Sequence, residues 1–196
     1  MKKLFLLSLF ICIIFYSCQQ INQMSNFLKC EFRIGSVQNT HLAGINVQEI
    51  RSISDLNLID AGRLTAAYAQ GSLPLTMTLN IDAKNPNNNQ AAMNRMEWIL
   101  MIEGKELVTG VLNDKVSLSP NGGTSTIPLS IQADLKKIMS NNSTQENINL
   151  GLGLIDNGNK PSKKLSLKIK PSIMIGNLNI PYPGYITVGT NFGSAN

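Results

Sequence analysis

From Leu73 to Lys84 the chain places an apolar residue at every odd position and a polar residue or proline at every even one. Leu73, Leu75, Met77, Leu79, Ile81 and Ala83 fall on one side of an extended chain, and Thr76, Thr78, Asn80, Asp82 and Lys84 on the other. Such alternation excludes an amphipathic helix, whose apolar face recurs about every 3.6 residues, and predicts a strand with one dry and one wet face. Asn85-Pro86-Asn87-Asn88-Asn89 ends it, because proline removes a donor and asparagine tolerates turn geometry. A second strand follows, with Met96, Trp98, Leu100 and Ile102 on one face and Arg95, Glu97 and Glu103 on the other. Together they read as the central pair of a β-sandwich.

The remaining chain supplies more of the same period. Phe27 to Gln38 alternates through Leu28, Cys30, Phe32 and Ile34, which predicts a first strand. Asn39-Thr40 reads as a turn, and His41 to Val47 as a second strand broken at Ala43-Gly44, where the glycine marks a bulge or a close backbone approach. Ser54 to Gln70 changes character. Leu56, Ile59 and Leu64 with Ala66-Ala67 form a helical stripe, capped by Ser54 or Asp55 and ended by Gly71. Strands are expected over Glu106 to Leu112 and Thr126 to Ala133, the latter at an edge or a bulge because of Pro128. Asp134 to Met139 reads as a short helix and Asn141 to Asn147 as a polar loop. Ile148 to Leu154 alternates with glycine and reads as a strand closed by an Asn157-Gly158 hairpin turn. Lys164 to Lys170 alternates sharply until Pro171 stops the ladder. The fold class is therefore mainly β: a two-sheet antiparallel β-sandwich with one or two short helices. A small ligand-binding barrel is the alternative. A membrane barrel is disfavoured, since 6% aromatic residues cannot furnish two aromatic girdles.

The N-terminus reads as an address. Lys2-Lys3 is followed by an apolar run from Leu4 to Tyr16, shorter than the ~20 residues a spanning helix needs. Phe15-Tyr16-Ser17-Cys18 resembles the lipobox of bacterial lipoproteins, in which the signal is cut before a cysteine that then carries the lipid. The expected organisation is a signal peptide over 1–17, a lipidated tether over 18–26 beginning at Cys18, and one domain over 27–196. Gln19 is not the aspartate that retains enterobacterial lipoproteins at the inner membrane, which favours the outer membrane facing the periplasm. Losing Lys2 and Lys3 lowers the basic count from 17 to 15 against 12 acids, a net charge of +3. The basic residues are spread out apart from Lys160 to Lys170, so nucleic acid is not an expected partner. With Cys12 in the signal and Cys18 acylated, Cys30 has no partner for a disulfide and fits a buried thiol.

The segment from Leu73 to Leu135 resembles the late-embryogenesis-abundant type 2 family, also called the WHy domain. The matching residues are Leu73-Pro74-Leu75, the alternating strand, Asn85-Pro86-Asn87, Ala91-Ala92, Trp98-Ile99-Leu100, Gly104, Gly110 and Ile127-Pro128-Leu129. The asparagine–proline pair after an alternating strand is the most specific of these. The resemblance implies a fibronectin III-like sandwich with a helix, no catalytic residues, and an envelope lipoprotein, which agrees with Cys18.

Catalytic and metal chemistry find little footing in the sequence. His41 is the single histidine, and no serine stands in a Gly-x-Ser-x-Gly elbow. No His, Cys and acidic residues cluster at zinc-ligand spacing, and no glycine loop precedes a helix to cradle a phosphate. Asp55 with Asp60, or Glu103 with Glu106, could pair as carboxylates but read more simply as solvated positions. Lys160, Lys163, Lys164, Lys168 and Lys170 form a basic stripe, which either keeps a strand soluble or faces anionic lipid or glycan. The expectation is a non-enzymatic envelope lipoprotein without cofactor or metal. It would bind or protect an envelope protein, glycan or lipid. The alternative is a carrier of an apolar ligand such as a lipid, held between the sheets or under the helix.

Overall fold

The computed structural model describes residues 21–156, 158–175 and 177–194. The expected signal peptide, Cys18 and Asn157 lie outside them. A first helix, α1, covers residues 21–28. The strands before the centre are β1 (Glu31–Leu42), β2 (Ile45–Asn46) and β3 (Pro74–Asn85). Then come β4 (Ala91–Met93), β5 (Arg95–Ile102), β6 (Lys105–Leu112), β7 (Val116–Leu118) and β8 (Gly123–Asp134). The last four are β9 (Leu165–Ile175), β10 (Leu178–Pro181), β11 (Ile186–Val188) and β12 (Gly193–Ser194). Helices α2 (Leu58–Ala69), α3 (Leu135–Ile138) and α4 (Thr144–Leu152) complete the chain.

Two five-stranded antiparallel sheets form the sandwich, as the alternation requires. One runs β12-β1-β3-β8 with β2 paired to β1, and the other runs β10-β9-β5-β6 with β11 paired to β9. The alternating strand β3 and the tryptophan strand β5 are therefore not paired with each other. Each is central in its own sheet, and the short β4 carries the chain across between them. Both present their apolar faces to one core, where Leu75, Leu79 and Ile81 of β3 join Met96, Trp98 and Leu100 of β5. Trp98 is 6% exposed. Its ring lies over Gly110, its cross-strand partner, where an added methyl would collide with the indole. Pro128 sits in β8, the edge strand of the first sheet, where proline is tolerated.

Several local readings give way to tertiary context. The tether expected over 18–26 is helical from residue 21, with Met24 buried, and the first strand starts at Glu31 rather than Phe27. Asn39 is not a turn between strands. It has φ 54° at a register shift between Gln38 and His41, a bulge within β1. The reversal comes at Ala43-Gly44, with φ 47° and 78°, the two-residue loop with both angles positive that suits a hairpin. Helix α2 is capped by Asn57, whose side chain accepts from Asp60 N, and not by Ser54 or Asp55. Its buried contact is Leu64, whereas Leu58 (90%) and Ile59 (69%) are exposed, so Ile59 is not part of the stripe.

The largest correction is Ile148 to Leu154, which forms the end of helix α4 to Leu152 and then a turn, and no strand. Ser143 and Glu146 form a capping box, with Ser143 N–H donating to Glu146 Oε2 at 2.6 Å. Ile148 and Leu152 then share a buried face, and Gly151 lets α4 approach Leu135 and Leu42, whose atoms lie 3.0 Å from where a Cβ would stand. Helices α2, α3 and α4 close the end of the sandwich at which β3 begins. Asp134 ties them there, accepting from Ser72 Oγ at 2.7 Å and from Leu73 N at 2.9 Å. Pro171 does not stop β9 either. Its carbonyl accepts from Tyr182 N at 2.9 Å, so its missing donor faces the gap between β10 and β11, where no ladder partner is needed.

Candidate functional site

Asn85-Pro86-Asn87 is a structural hub. Asn85 is fully buried at the end of β3. Its Nδ2 donates to Asn89 O (3.0 Å) and Leu118 O (3.2 Å), and its Oδ1 accepts from Asn87 N (3.0 Å) and Asn87 Nδ2 (2.7 Å). Asn87 Nδ2 also reaches Asn26 O in α1 at 2.9 Å, and Asn26 Nδ2 returns a bond to Gln90 O at 3.2 Å. The motif thus staples α1, the β3–β4 loop and the strand β7 together. Pro86 is exposed at the loop surface. With its polar atoms spent on neighbours, Asn85 has none left for a ligand.

The other singled-out residues are placed apart. His41 Nδ1 lies 2.9 Å from Asn39 O, within its own bulge. Cys30 is buried with Sγ 3.4 Å from Asn26 O, and burial, with a smaller contribution from the Glu31 charge, pushes its thiol up to about 12. Asp55 accepts from Ser52 N at 2.9 Å, and Asp60 serves Asn57 and Arg63. Glu103 is paired with Lys164 at 2.6 Å, whose hydrogen bond holds its carboxyl below the usual range, and Glu106 is exposed. Among the described residues no three of His, Cys, Asp or Glu come together as a metal site. The basic stripe divides. Lys164 goes to Glu103, Lys170 lies 5.7 Å from the Tyr185 ring, and Lys160 and Lys163 turn to a cleft.

That cleft is the strongest candidate site. It lies on the side of β1 away from β3, in the stretch between the pairings with β12 and β2, where two segments each bond to the strand. Ile34 N donates to Gly189 O at 2.7 Å, and Val37 N donates to Asn159 O at 2.8 Å. Between them a bulge at Gly35 breaks the register with β3. The space, about 390 Å³, is lined by Arg33, Gly35, Lys160, Lys163, Thr190 and Asn191 among others, with no carboxylate in its wall. Arg33 is held from behind. Its Nε and Nη2 lie 3.0 and 2.9 Å from Asp82 Oδ2, Thr126 Oγ1 fixes Asp82 Oδ1 at 3.1 Å, and the Phe192 ring sits 4.5 Å from the guanidinium carbon. Gly35 is required here, because a Cβ would run into the Asp82 carboxylate.

Sequence reasoning found Lys160 and Lys163 but not Arg33, Gly35, Thr190 or Asn191. One signal was available: alternation through Phe32 and Ile34 resumes at Val37 with its parity changed, which marks an extra residue at Gly35 or Ser36.

No family model matches the chain, and no curated protein matches it. Among solved structures it is similar to the crystal structure of a protein from Archaeoglobus fulgidus, with 13% identity over 60% of this chain and 86% of that one, at a TM-score of 0.32.

Proposed function

We propose that this is a non-enzymatic lipoprotein of the cell envelope, anchored through Cys18 at the outer membrane facing the periplasm. Its late-embryogenesis-abundant type 2-like sandwich binds another envelope component. The observation that carries the reading is the basic cleft on β1. It is concave, its arginine is held in place by Asp82 and Phe192, and its walls are backbone-bonded to β1. Ligand sites are usually concave and largely pre-formed, with a few fixed polar groups that set orientation. Trp98, buried in the core with its ring against Gly110, favours recognition at this surface over an apolar ligand held between the sheets.

The test is made in a bacterial host expressing the whole chain. Metabolic labelling with a palmitate analogue should mark the wild type and not Cys18→Ser. A photo-crosslinking residue in place of Lys163 should give a discrete envelope adduct. An unlabelled wild-type protein would refute the anchor, and absence of any adduct at Lys163 would refute the binding role.

A further inference from the structure

We infer that the cleft on β1 is a phosphate site. This deepens the binding reading above and rests on it. Three cationic side chains reach the cleft from two segments: Arg33 from β1, and Lys160 and Lys163 from the turn that follows α4. Neither lysine has a salt-bridge partner among the described residues, although Lys164 beside them is paired with Glu103. Asp82 takes Nε–H and one Nη2–H of Arg33, which leaves the outer Nη1–Nη2 edge to donate elsewhere. A single carboxylate would bring one charge to two unpaired ammonium groups, whereas a phosphate brings close to two. The cleft offers that arginine edge, two point-charge ammonium groups, and the polar residues Thr190 and Asn191. Converging donors of this kind suit a compact, multiply charged tetrahedral oxyanion. The space of about 390 Å³ exceeds a bare phosphate and leaves room for what it is attached to, in the size range of small-ligand sites. A lipid headgroup phosphate and a soluble phosphorylated sugar present the same chemistry.

The experiment uses residues 19–196, which contain every described residue. Inorganic phosphate is titrated at fixed ionic strength while backbone amide NMR signals are followed. The expected result is saturable shifts at Gly35, Thr190 and Asn191, and at least ten-fold weaker binding in Lys160→Gln/Lys163→Gln. Both lysines are exposed, so that variant should unfold at the wild-type urea midpoint. Shifts that rise linearly without saturation, or that persist in the double variant, would overturn the inference. Flotation with vesicles separates the sources. Binding to phosphatidylglycerol vesicles and not to phosphatidylcholine, lost in the double variant, assigns an anionic lipid headgroup. Phosphate binding without vesicle binding assigns a soluble phosphorylated ligand. Adducts at Lys163 without saturable phosphate shifts would overturn this inference alone. Phosphate shifts without adducts would instead overturn the envelope reading.

Discussion

Replacing Asn85 by alanine tests whether the asparagine–proline motif is a structural staple. The side chain makes four hydrogen bonds, two donated to Asn89 O and Leu118 O and two accepted from Asn87. A net hydrogen bond contributes ~1 kcal/mol, and a buried group left without a partner adds ~1–3 kcal/mol. Asn89 is exposed and Asn87 half-buried, so their freed groups recover water, while Leu118 O, in a bond that is buried, does not. The sum is a loss of ~5–7 kcal/mol, comparable with the whole ~5–15 kcal/mol typical of a domain. Urea unfolding followed by the fluorescence of Trp98, the one tryptophan, reads this directly. With a slope of ~2 kcal/mol/M the midpoint should fall by ~2.5–3.5 M. Asn88→Ala, at an exposed position of the same loop, should stay within ~0.5 kcal/mol of wild type. A loss below ~1 kcal/mol for Asn85→Ala, or an equal loss for Asn88→Ala, would refute the reasoning.

Other outcomes follow from the same geometry. Trp98→Ala should destabilise by ~3–5 kcal/mol by circular dichroism, as for a large buried aromatic. Gly110→Ala should cost about 1–3 kcal/mol and red-shift Trp98 emission as the ring is displaced; an unshifted spectrum would contradict the close packing. Cys30, buried and with its thiol pushed up to about 12, should resist maleimide in the native chain and react only on unfolding, as peptide mapping would show. Asp134 is opposed by burial, yet hydrogen bonds from Leu73 N and Ser72 and the charge of Lys137 keep its carboxyl below 3.8. A depressed folded value stabilises above the unfolded one and loses that contribution as pH falls below it. The stability gap between wild type and Asp134→Asn should therefore be constant above about pH 5 and shrink below 3.8; a gap that holds at low pH would contradict the assignment.

How legible the fold was depends on whether local pattern and tertiary role agree. β3, β5 and β8 bury one face each, so alternation reported them faithfully, including the edge position of Pro128. α4 misled because Ile148, Leu150, Leu152 and Leu154 satisfy period two while Ile148 and Leu152 also satisfy a spacing of four. The deciding signal was the Ser143–Glu146 capping box upstream, which overrides alternation in a run this short. Asn39-Thr40 looked like a turn because asparagine tolerates positive φ, and a bulge uses the same property without reversing the chain. The site was half legible. The lysines stood out in a run, but Arg33, Thr190 and Asn191 lie far apart in sequence. They meet only because β1 is flanked at one point by Gly189 and at another by Asn159.

The central claim is that recognition takes place at the β1 cleft and not between the sheets. Native mass spectrometry of residues 19–196, exported behind a cleavable signal and purified without detergent, tests it most directly. The account predicts the bare chain mass, with adducts only of phosphate-bearing species that disappear in Lys160→Gln/Lys163→Gln. A stoichiometric apolar mass that survives in the double variant would contradict it and place the ligand in the core.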